Sequence, residues 1–595
     1  MPDLKISLTD ESSVTASCTS RNGSLFFLLS SYFDEKGQSP LDFKTHLSNF
    51  LKYRENFLNA CDLEGFSYEV DERLISIYNS MPNYNDEIIK ENVSRNSIEQ
   101  KLKKEKFKRT LTAFQRRNLE KLCHLKCAAN FSVPGSGKTT EALAFYKFHR
   151  ASDTSKLLVV GPPNCFLSWQ KEIKKCLGKE HSFKQARGKL IDIKRAFSEN
   201  SEFFITNFDS FYMHNKFDVI CSFLKNNPDT TIIIDESHKM KGEIISELLM
   251  KIAPYSNCKM ILTGTPMPQG EDDLVSQFNF LYPSQTMTEY EDYIEKFQPL
   301  YVRTTKEELG LIKPKIKQVL IKPKPAFEDF FQNYVREPYK HGMPLQEILQ
   351  VESFKLAVMR LIAAMSNPYA YHEIFAHLDL DLASRIIEEG NGAKFDYLIS
   401  RVKELVESKQ KVLVWSNFTF HVKQIAIELD ENNIDNVVLK GGIPSEKQDE
   451  ESNYLYSDES DAEILTREKR ITKFLDDPNC MVMVANPAAA AESMSLHEVC
   501  HHTIYLDRTF NAAQYLQSQD RIHRLIEKDK EKEKTIEILQ LDTPGSIDFR
   551  VQKRLLEKIS YMGEFLQDPS LENLASFKNP DEDVPKDLQT PDFLD

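Results

Sequence analysis

The sequence has no run of about 18 or more apolar residues, so it offers no helix built to cross a bilayer. Its first apolar stretch, Ser24-Leu25-Phe26-Phe27-Leu28-Leu29, is short. It follows acidic residues (Asp3, Asp10, Glu11) and precedes no small-residue cleavage pattern, so it reads as a buried strand or helix rather than a signal peptide. Cysteine is scarce and scattered, ten in 595 residues with no C-x-x-C, which argues against a disulfide framework and fits a reducing cytoplasm. An overall basic excess is absent. The net charge of -14 excludes a uniformly basic nucleic-acid coat, so any such binding must use local basic surfaces. No repeat of solenoid period is present.

The length is that of roughly four domains at ~150 residues each. Residues 1–105 read as a small mixed accessory domain with aromatic-rich helices, Phe43 to Phe57 among them. From about 110, near-continuous apolar runs alternate with charged helical stretches. Leu157–Val160, Phe203–Thr206, Thr231–Ile234 and Met260–Leu262 are expected strands of a parallel sheet buried on both faces. Val412–Trp415, Asn436–Leu439, Met481–Val484, Thr503–Leu506 and Ile536–Leu539 repeat the pattern. This alternation predicts an α/β chain with two parallel-sheet domains, at 106–283 and 394–565. Residues 284–393 between them read as mainly helical linker and protrusions, apart from a strand at Lys317–Ile321. Residues 566–595 read as an acidic tail whose composition cannot build a core.

Four charged or metal-like clusters leave two readings each. Lys101–Arg109 holds six basic residues and one acid, either a solvated helix face or a phosphate contact. Residues 445–463 carry eight acids against one lysine, either a solvated loop or a gate against nucleic acid. The pair Cys123/Cys127 and the group His497, Cys500, His501, His502 are either ordinary side chains or zinc ligands.

The strongest chemical signal is Ser132-Val133-Pro134-Gly135-Ser136-Gly137-Lys138-Thr139-Thr140. Its two glycines can turn backbone amides toward phosphate oxygens, Lys138 supplies a point charge for the β and γ phosphates, and Thr139 can ligate Mg²⁺. The helix that starts there adds its positive end. Ser132 stands where the general P-loop has its first glycine. Downstream, Ile232-Ile233-Ile234-Asp235-Glu236-Ser237-His238 is an apolar strand ending in two acids. Asp235 would hold the metal and Glu236 would deprotonate the attacking water. The pair implies a nucleoside triphosphatase.

The order of motifs resembles superfamily-two helicases and, within them, the Swi/Snf-like branch of DNA-stimulated ATPases. Phe114-Gln115 is similar to the adenine-reading glutamine element. Val159-Val160-Gly161-Pro162-Pro163 with Trp169 and Glu172, then Thr206-Asn207, resemble the next motifs. Asp235-Glu236-Ser237-His238 resembles the DEAH box, Leu262-Thr263-Gly264-Thr265-Pro266 the third motif, and Phe280-Leu281-Tyr282-Pro283 the phrase after it. Arg303-Thr304-Thr305-Lys306, Lys411–Ser416, Leu439-Lys440-Gly441-Gly442, Arg467-x-x-x-Ile471-x-x-Phe474 and Gln517-Ser518-Gln519-Asp520-Arg521-Ile522-His523-Arg524 continue the order. The resemblance covers about residues 110 to 560.

It implies two RecA-like P-loop domains and ATP with Mg²⁺ as cofactors. Lys138, Glu236, Arg521 and Arg524 would be catalytic. Gln115, Pro134 to Thr140, Asp235 and Gln517 would bind nucleotide. His238, Thr263, Gly264 and Thr265 would couple the cycle. Pro162, Trp169, Thr206, Ser416 and Lys440 would face nucleic acid. Arg521 and Arg524, three apart on an expected helix, would share one face and meet the γ-phosphate if the two domains close on one nucleotide.

Departures are Ala490-Ala491-Glu492-Ser493-Met494, where the branch carries several glycines, Leu525-Ile526 after the last arginine, and the missing acidic-glycine lead-in to the P-loop. The resemblance implies a cytoplasmic double-stranded DNA translocase. The length and the lack of chromatin-reader modules point to a bacterial or phage setting. A nuclease or methylase partner in restriction or antiviral defence follows by analogy. A strand-separating DNA or RNA helicase, and a nucleotide-gated DNA-binding switch with little turnover, remain open alternatives.

Overall fold

The computed structural model describes residues 2–10, 12–37, 39–89, 93–285, 291–371, 379–443, 466–490, 494–524 and 535–575. The acidic stretch 445–463, residues 491–493 of the fifth motif, Leu525-Ile526 and the tail beyond 575 lie outside the described residues. The chain divides into two compact units, 1–305 and 306–595. None of the described helices is long and apolar enough to cross a membrane.

The first unit opens with a five-stranded sheet of β1 (Leu4–Asp10), β2 (Ser13–Cys18), β3 (Glu35–Lys36), β4 (Asp42–His46) and β5 (Tyr68–Val70), in the order β3-β4-β2-β1-β5. Alternation sets its buried face: Leu4, Ile6, Leu8, Val14, Ala16 and Cys18 turn into the core with the helices Gly23–Tyr32 and Leu47–Leu63. The helix expected from Phe43 therefore starts later. Phe43 and Thr45 are buried while their neighbours are half-buried, a period-two pattern that makes Asp42–His46 a strand. His46 then caps the helix, its Nδ1 accepting the Ser48 N–H at 3.2 Å.

The second sheet of this unit holds β6 (Cys127–Asn130), β7 (Leu157–Val160), β8 (Lys184–Gln185), β9 (Phe203–Thr206), β10 (Thr231–Asp235), β11 (Lys259–Leu262) and β12 (Tyr301–Val302). All its pairings are parallel, in the order β12-β6-β11-β10-β7-β9-β8. Every residue of β6, β7, β9 and β11 is buried, as two-sided coverage by helices requires. The sheet runs past residue 283, where the sequence placed its end, because Tyr301–Val302 pairs with Ala129–Asn130.

The second unit carries a six-stranded parallel sheet: β13 (Lys315–Leu320), β14 (Lys411–Trp415), β15 (Asn436–Leu439), β16 (Val482–Ala485), β17 (Cys500–Tyr505) and β18 (Glu537–Asp542). The order is β13-β18-β17-β14-β16-β15. The strand expected near Lys317 is thus an edge strand of this sheet, and the stretch 284–393 gives one edge strand to each sheet. The fold class is α/β, as the alternation predicts. The tail begins later than 566: Pro569–Ala575 is helical, Leu571 is buried, and Gly563 packs closely on Glu572, where a Cβ would fall 3.1 Å from its Cγ.

Candidate functional site

In a parallel sheet every strand delivers its following loop to one edge, the usual place for a ligand site. The order β6-β11-β10-β7 brings the P-loop, the third motif, the DEAH segment and the Pro162 turn side by side there. The helix Lys138–His149 starts directly after the loop. Gly135 and Gly137 both adopt left-handed backbone, φ 86° and 90°. At Gly137 a Cβ would also lie 2.3 Å from Gln115 Nε2, so neither conformation nor space admits a side chain.

Gln115 is locked by a capping box. Its Oε1 accepts the Thr112 N–H at 3.0 Å, and Gln115 N–H donates to the Thr112 hydroxyl at 3.3 Å. Its Nε2 donates to the Gly137 carbonyl at 3.5 Å. Lys138 Nζ donates to the Ser132 carbonyl at 2.8 Å. The Ser136 hydroxyl is buried with no hydrogen-bond partner in the protein. An orphaned donor within two left-handed glycines, ahead of a helix N-terminus, fits an anionic oxygen ligand such as a phosphate.

Asp235 ends β10, one oxygen accepting the Glu236 N–H at 3.0 Å and the other the Trp169 indole N–H at 2.7 Å. Burial and the neighbouring Glu236 charge push its carboxyl up to about 6, against the indole and the Lys138 charge. Glu236 sits at φ 56°, a left-handed conformation costly for a non-glycine residue and typical of strained functional positions. His238 Nδ1 lies 3.0 Å from the Thr263 hydroxyl, and Thr263 Oγ1 accepts the Thr265 N–H at 3.1 Å. Gly264 packs on the P-loop, a Cβ there falling 3.1 Å from Pro134 Cδ. The structure thus brings Gln115, Pro134–Thr140, Asp235, Glu236, His238 and Thr263–Thr265 together.

Beneath the loop lies a polar network in which the motif residues meet Asn118, Asn130, Glu141 and Glu87, which the motifs do not include. Ser132 Oγ accepts the Thr304 N–H at 2.9 Å, and Asn118 Nδ2 donates to Thr304 Oγ1 and to Glu141 Oε1, both at 2.9 Å. Asn130 donates to the other Glu141 oxygen. Burial pushes the Glu141 carboxyl up to about 8, against those two amides. Glu172 accepts from Thr140 at 2.5 Å and pairs with Arg109. Glu87, from the accessory segment, accepts the Lys126 N–H at 3.0 Å and the Tyr282 hydroxyl at 2.8 Å. The available signal was the polar residue itself, such as Asn130 closing an otherwise apolar strand.

Four of the five residues assigned to nucleic acid are interior. Trp169, Thr206 and Ser416 are each 0% exposed, and Pro162 is buried. The Thr206 hydroxyl donates to the Ala186 carbonyl at 2.7 Å, and that of Ser416 to Asp507 at 2.5 Å. The Thr206 and Ser416 hydroxyls serve the fold, and Lys440 is half-buried. The sixth motif also departs from expectation. Its helix, Ala512–Gln519, ends before the arginines, so they do not share a helix face. Arg521 is 3% exposed and donates to the carbonyls of Gln517 and Met494, both at 2.9 Å. Arg524 is half-buried and donates to the Asp520 carbonyl at 2.9 Å. Asp520 pairs with Lys306 at 2.5 Å, and His523 Nε2 lies 2.7 Å from the Ile312 carbonyl.

Much of the basic run at 101–109 is committed to ion pairs, Lys101 with Glu105 and Lys108 with Glu180 among them. Among the described residues no cluster of three or more His, Cys, Asp or Glu side chains could hold a metal.

Residues 131–333 match the SNF2-related domain family. The ATP-dependent helicase FUN30 of Saccharomyces cerevisiae is 26% identical over 165 residues, 27% of this chain and 14% of that protein. The nuclear protein STH1/NPS1 of the same yeast is 19% identical over 486 residues, 74% of this chain and 33% of the relative. The ATP-dependent DNA helicase DDM1 of Arabidopsis thaliana is 22% identical over 377 residues, 56% of this chain and 45% of the relative. The chain therefore spans less than half the length of these relatives. A solved Sulfolobus solfataricus SWI2/SNF2 ATPase core in complex with dsDNA aligns over 81% of this chain and 96% of its own, at 15% identity and a TM-score of 0.32.

Proposed function

We propose that the chain is an ATP-hydrolysing motor that tracks double-stranded DNA without full strand separation. The observation that carries the ATPase part is the convergence of Gly135–Thr140, Asp235-Glu236 and His238–Thr263 at one edge of one parallel sheet. The DNA part draws support from the SNF2-related match and from relatives whose names include DNA helicases.

Thr139 and Asp235 would hold Mg²⁺, which, when bound, neutralises charge on the β and γ phosphates. Gly135 to Gly137 present backbone amides to the phosphates, and Lys138 exchanges the Ser132 carbonyl for a phosphate oxygen. Glu236 takes the proton of the attacking water. Arg521 and Arg524 are assigned to the charge of the transferring phosphoryl. Gln115 is assigned to the base. Lys440, half-buried, is assigned to a backbone-phosphate contact.

Steady-state phosphate release tests this, measured without nucleic acid and then with duplex DNA, single-stranded DNA and RNA, with Glu236→Gln as the inactive control. Stimulation mainly by duplex DNA, lost in the control, is the expected result. Preference for single strands or RNA would replace the translocase with a strand-separating helicase. Tight DNA binding without stimulated turnover would remove the motor.

A further inference from the structure

Trp169 resembles a motif residue on the nucleic-acid side, yet its ring is wholly enclosed. It lies in the first turns of the helix Phe166–Cys176, which follows β7 through the short turn Pro163–Cys165. β7 is the parallel neighbour of β10, so this turn and the end of β10 meet at the same sheet edge. The approach is close: a Cβ on Gly161 would fall 3.1 Å from Asp235 Cβ and 2.8 Å from Cys165 Sγ. Phe183 packs edge-on against the Trp169 ring at 5.9 Å and fixes its plane. The indole N–H then has one direction, toward Asp235 Oδ2 at 2.7 Å. Asp235 Oδ1 is taken by the Glu236 N–H at 3.0 Å. The Cys165 thiol is hydrogen-bonded to the same carboxylate, so with these donors its plane has little freedom to turn.

We infer that Trp169 is a positioning residue for the metal-holding carboxylate: its indole N–H orients Asp235 toward Mg²⁺. Ligand carboxylates are commonly held in this way by outer hydrogen bonds, and removing one costs 10–100-fold in metal affinity or activity. An indole suits the task because it donates one hydrogen bond, accepts none and carries no charge. The inference rests on the nucleotide role proposed above for Asp235.

The test is binding of the fluorescent nucleotide mant-ADP to the full chain, with Mg²⁺ and with EDTA. Trp169→Phe keeps an aromatic ring against Phe183 and deletes the donor together with the rest of the five-membered ring, so the binding in EDTA serves as the control for lost packing. The expected result is a roughly tenfold fall in the Mg²⁺-dependent gain in affinity, with binding in EDTA unchanged. Equal weakening in both buffers would make Trp169 a packing residue and overturn the inference, as would an unaltered gain. No Mg²⁺-dependent binding by the wild-type chain would instead bring down the nucleotide reading, and this inference with it.

A second measurement needs no folded Trp169 variant. The sequence has only two tryptophans, Trp169 and Trp415, so 5-fluorotryptophan labelling gives two ¹⁹F signals, assigned with Trp415→Phe. Adding Mg²⁺ to the ADP-saturated chain should shift the Trp169 signal and leave Trp415 in place. A stationary Trp169 signal would overturn the inference.

Discussion

His238 and Thr263 meet across two adjacent parallel strands, imidazole Nδ1 to hydroxyl at 3.0 Å. The register of β10 on β11 places Asp235 opposite Leu262, so the residues just beyond the two strand ends are neighbours. Glu236 Oε2 lies 3.4 Å from the same imidazole nitrogen. The imidazole therefore stands between the proposed general base and the third motif, and the Thr263 hydroxyl passes the connection to the Thr265 N–H.

His238→Ala and Thr263→Val should each lower ATP turnover, by about 10-fold. Residues in one hydrogen-bonded network couple by about 0.5–3 kcal/mol, so the double variant should be little worse than either single one. The measurement is kcat from phosphate release in all four proteins. A double variant slowed about 100-fold would show that the two side chains act independently.

Gly137→Ala should remove nucleotide binding and destabilise the first unit. The left-handed backbone there costs an L-residue about 1–2 kcal/mol, and the new methyl would lie 2.3 Å from Gln115 Nε2. Adding Gln115→Ala relieves the clash and leaves the backbone cost, so the double variant should melt above the single one. Equal melting temperatures would mean the loop yields at no cost.

The fold was legible where the chemistry is local. Thr231–Ile234 announces a buried strand by composition alone, and Gly135–Thr140 announces its turn by the residues that make it. What escaped depends on the third dimension. Trp169 and Thr206 carry the side chains expected of a nucleic-acid surface, and only the packing shows their polar atoms turned inward to Asp235 and Ala186. Tyr301–Val302 is too short to show a period, and it is a strand because β6 offers it an open edge. Arg521 and Arg524 keep helical spacing, but the helix stops at Gln519 and the arginines follow in a turn.

His523 gives the second unit a sensitivity to acid. Burial first, and then the Lys306 charge, lower its pKa to about 4, against Asp520 and the Ile312 carbonyl. The unfolded chain, with an ordinary value near 6.5, binds this proton first. Stability should therefore be full above about pH 6.5 and fall by up to about 1.4 kcal/mol per pH unit toward pH 4. His523→Gln keeps a donor for Ile312 and cannot titrate, so it should flatten this part of the profile. Urea midpoints at pH 7.5 and pH 5 check it, and the proposal fails if both proteins lose the same stability between them.

Ser132 should resist replacement by the glycine of the general P-loop. Its hydroxyl accepts the Thr304 N–H at 2.9 Å, and both residues are buried. Ser132 N–H is anchored in turn on Asn130 Oδ1 at 3.1 Å, and Val133 N–H donates to the Thr304 carbonyl at 3.1 Å. The loop is thus stitched to the segment that opens Arg303-Thr304-Thr305-Lys306. Ser132→Ala leaves a buried N–H without its acceptor and should cost about 1–3 kcal/mol. Ser132→Gly adds about 0.5–1 kcal/mol of backbone entropy, so it should be the less stable of the two. Neither change removes an amide or the Lys138 ammonium from the phosphate site, so nucleotide affinity at low temperature should hold within about threefold while the melting temperature falls. A Ser132→Ala protein as stable as the wild type would show that the Thr304 N–H finds another acceptor, and that the serine is there for the nucleotide rather than for the loop's anchorage.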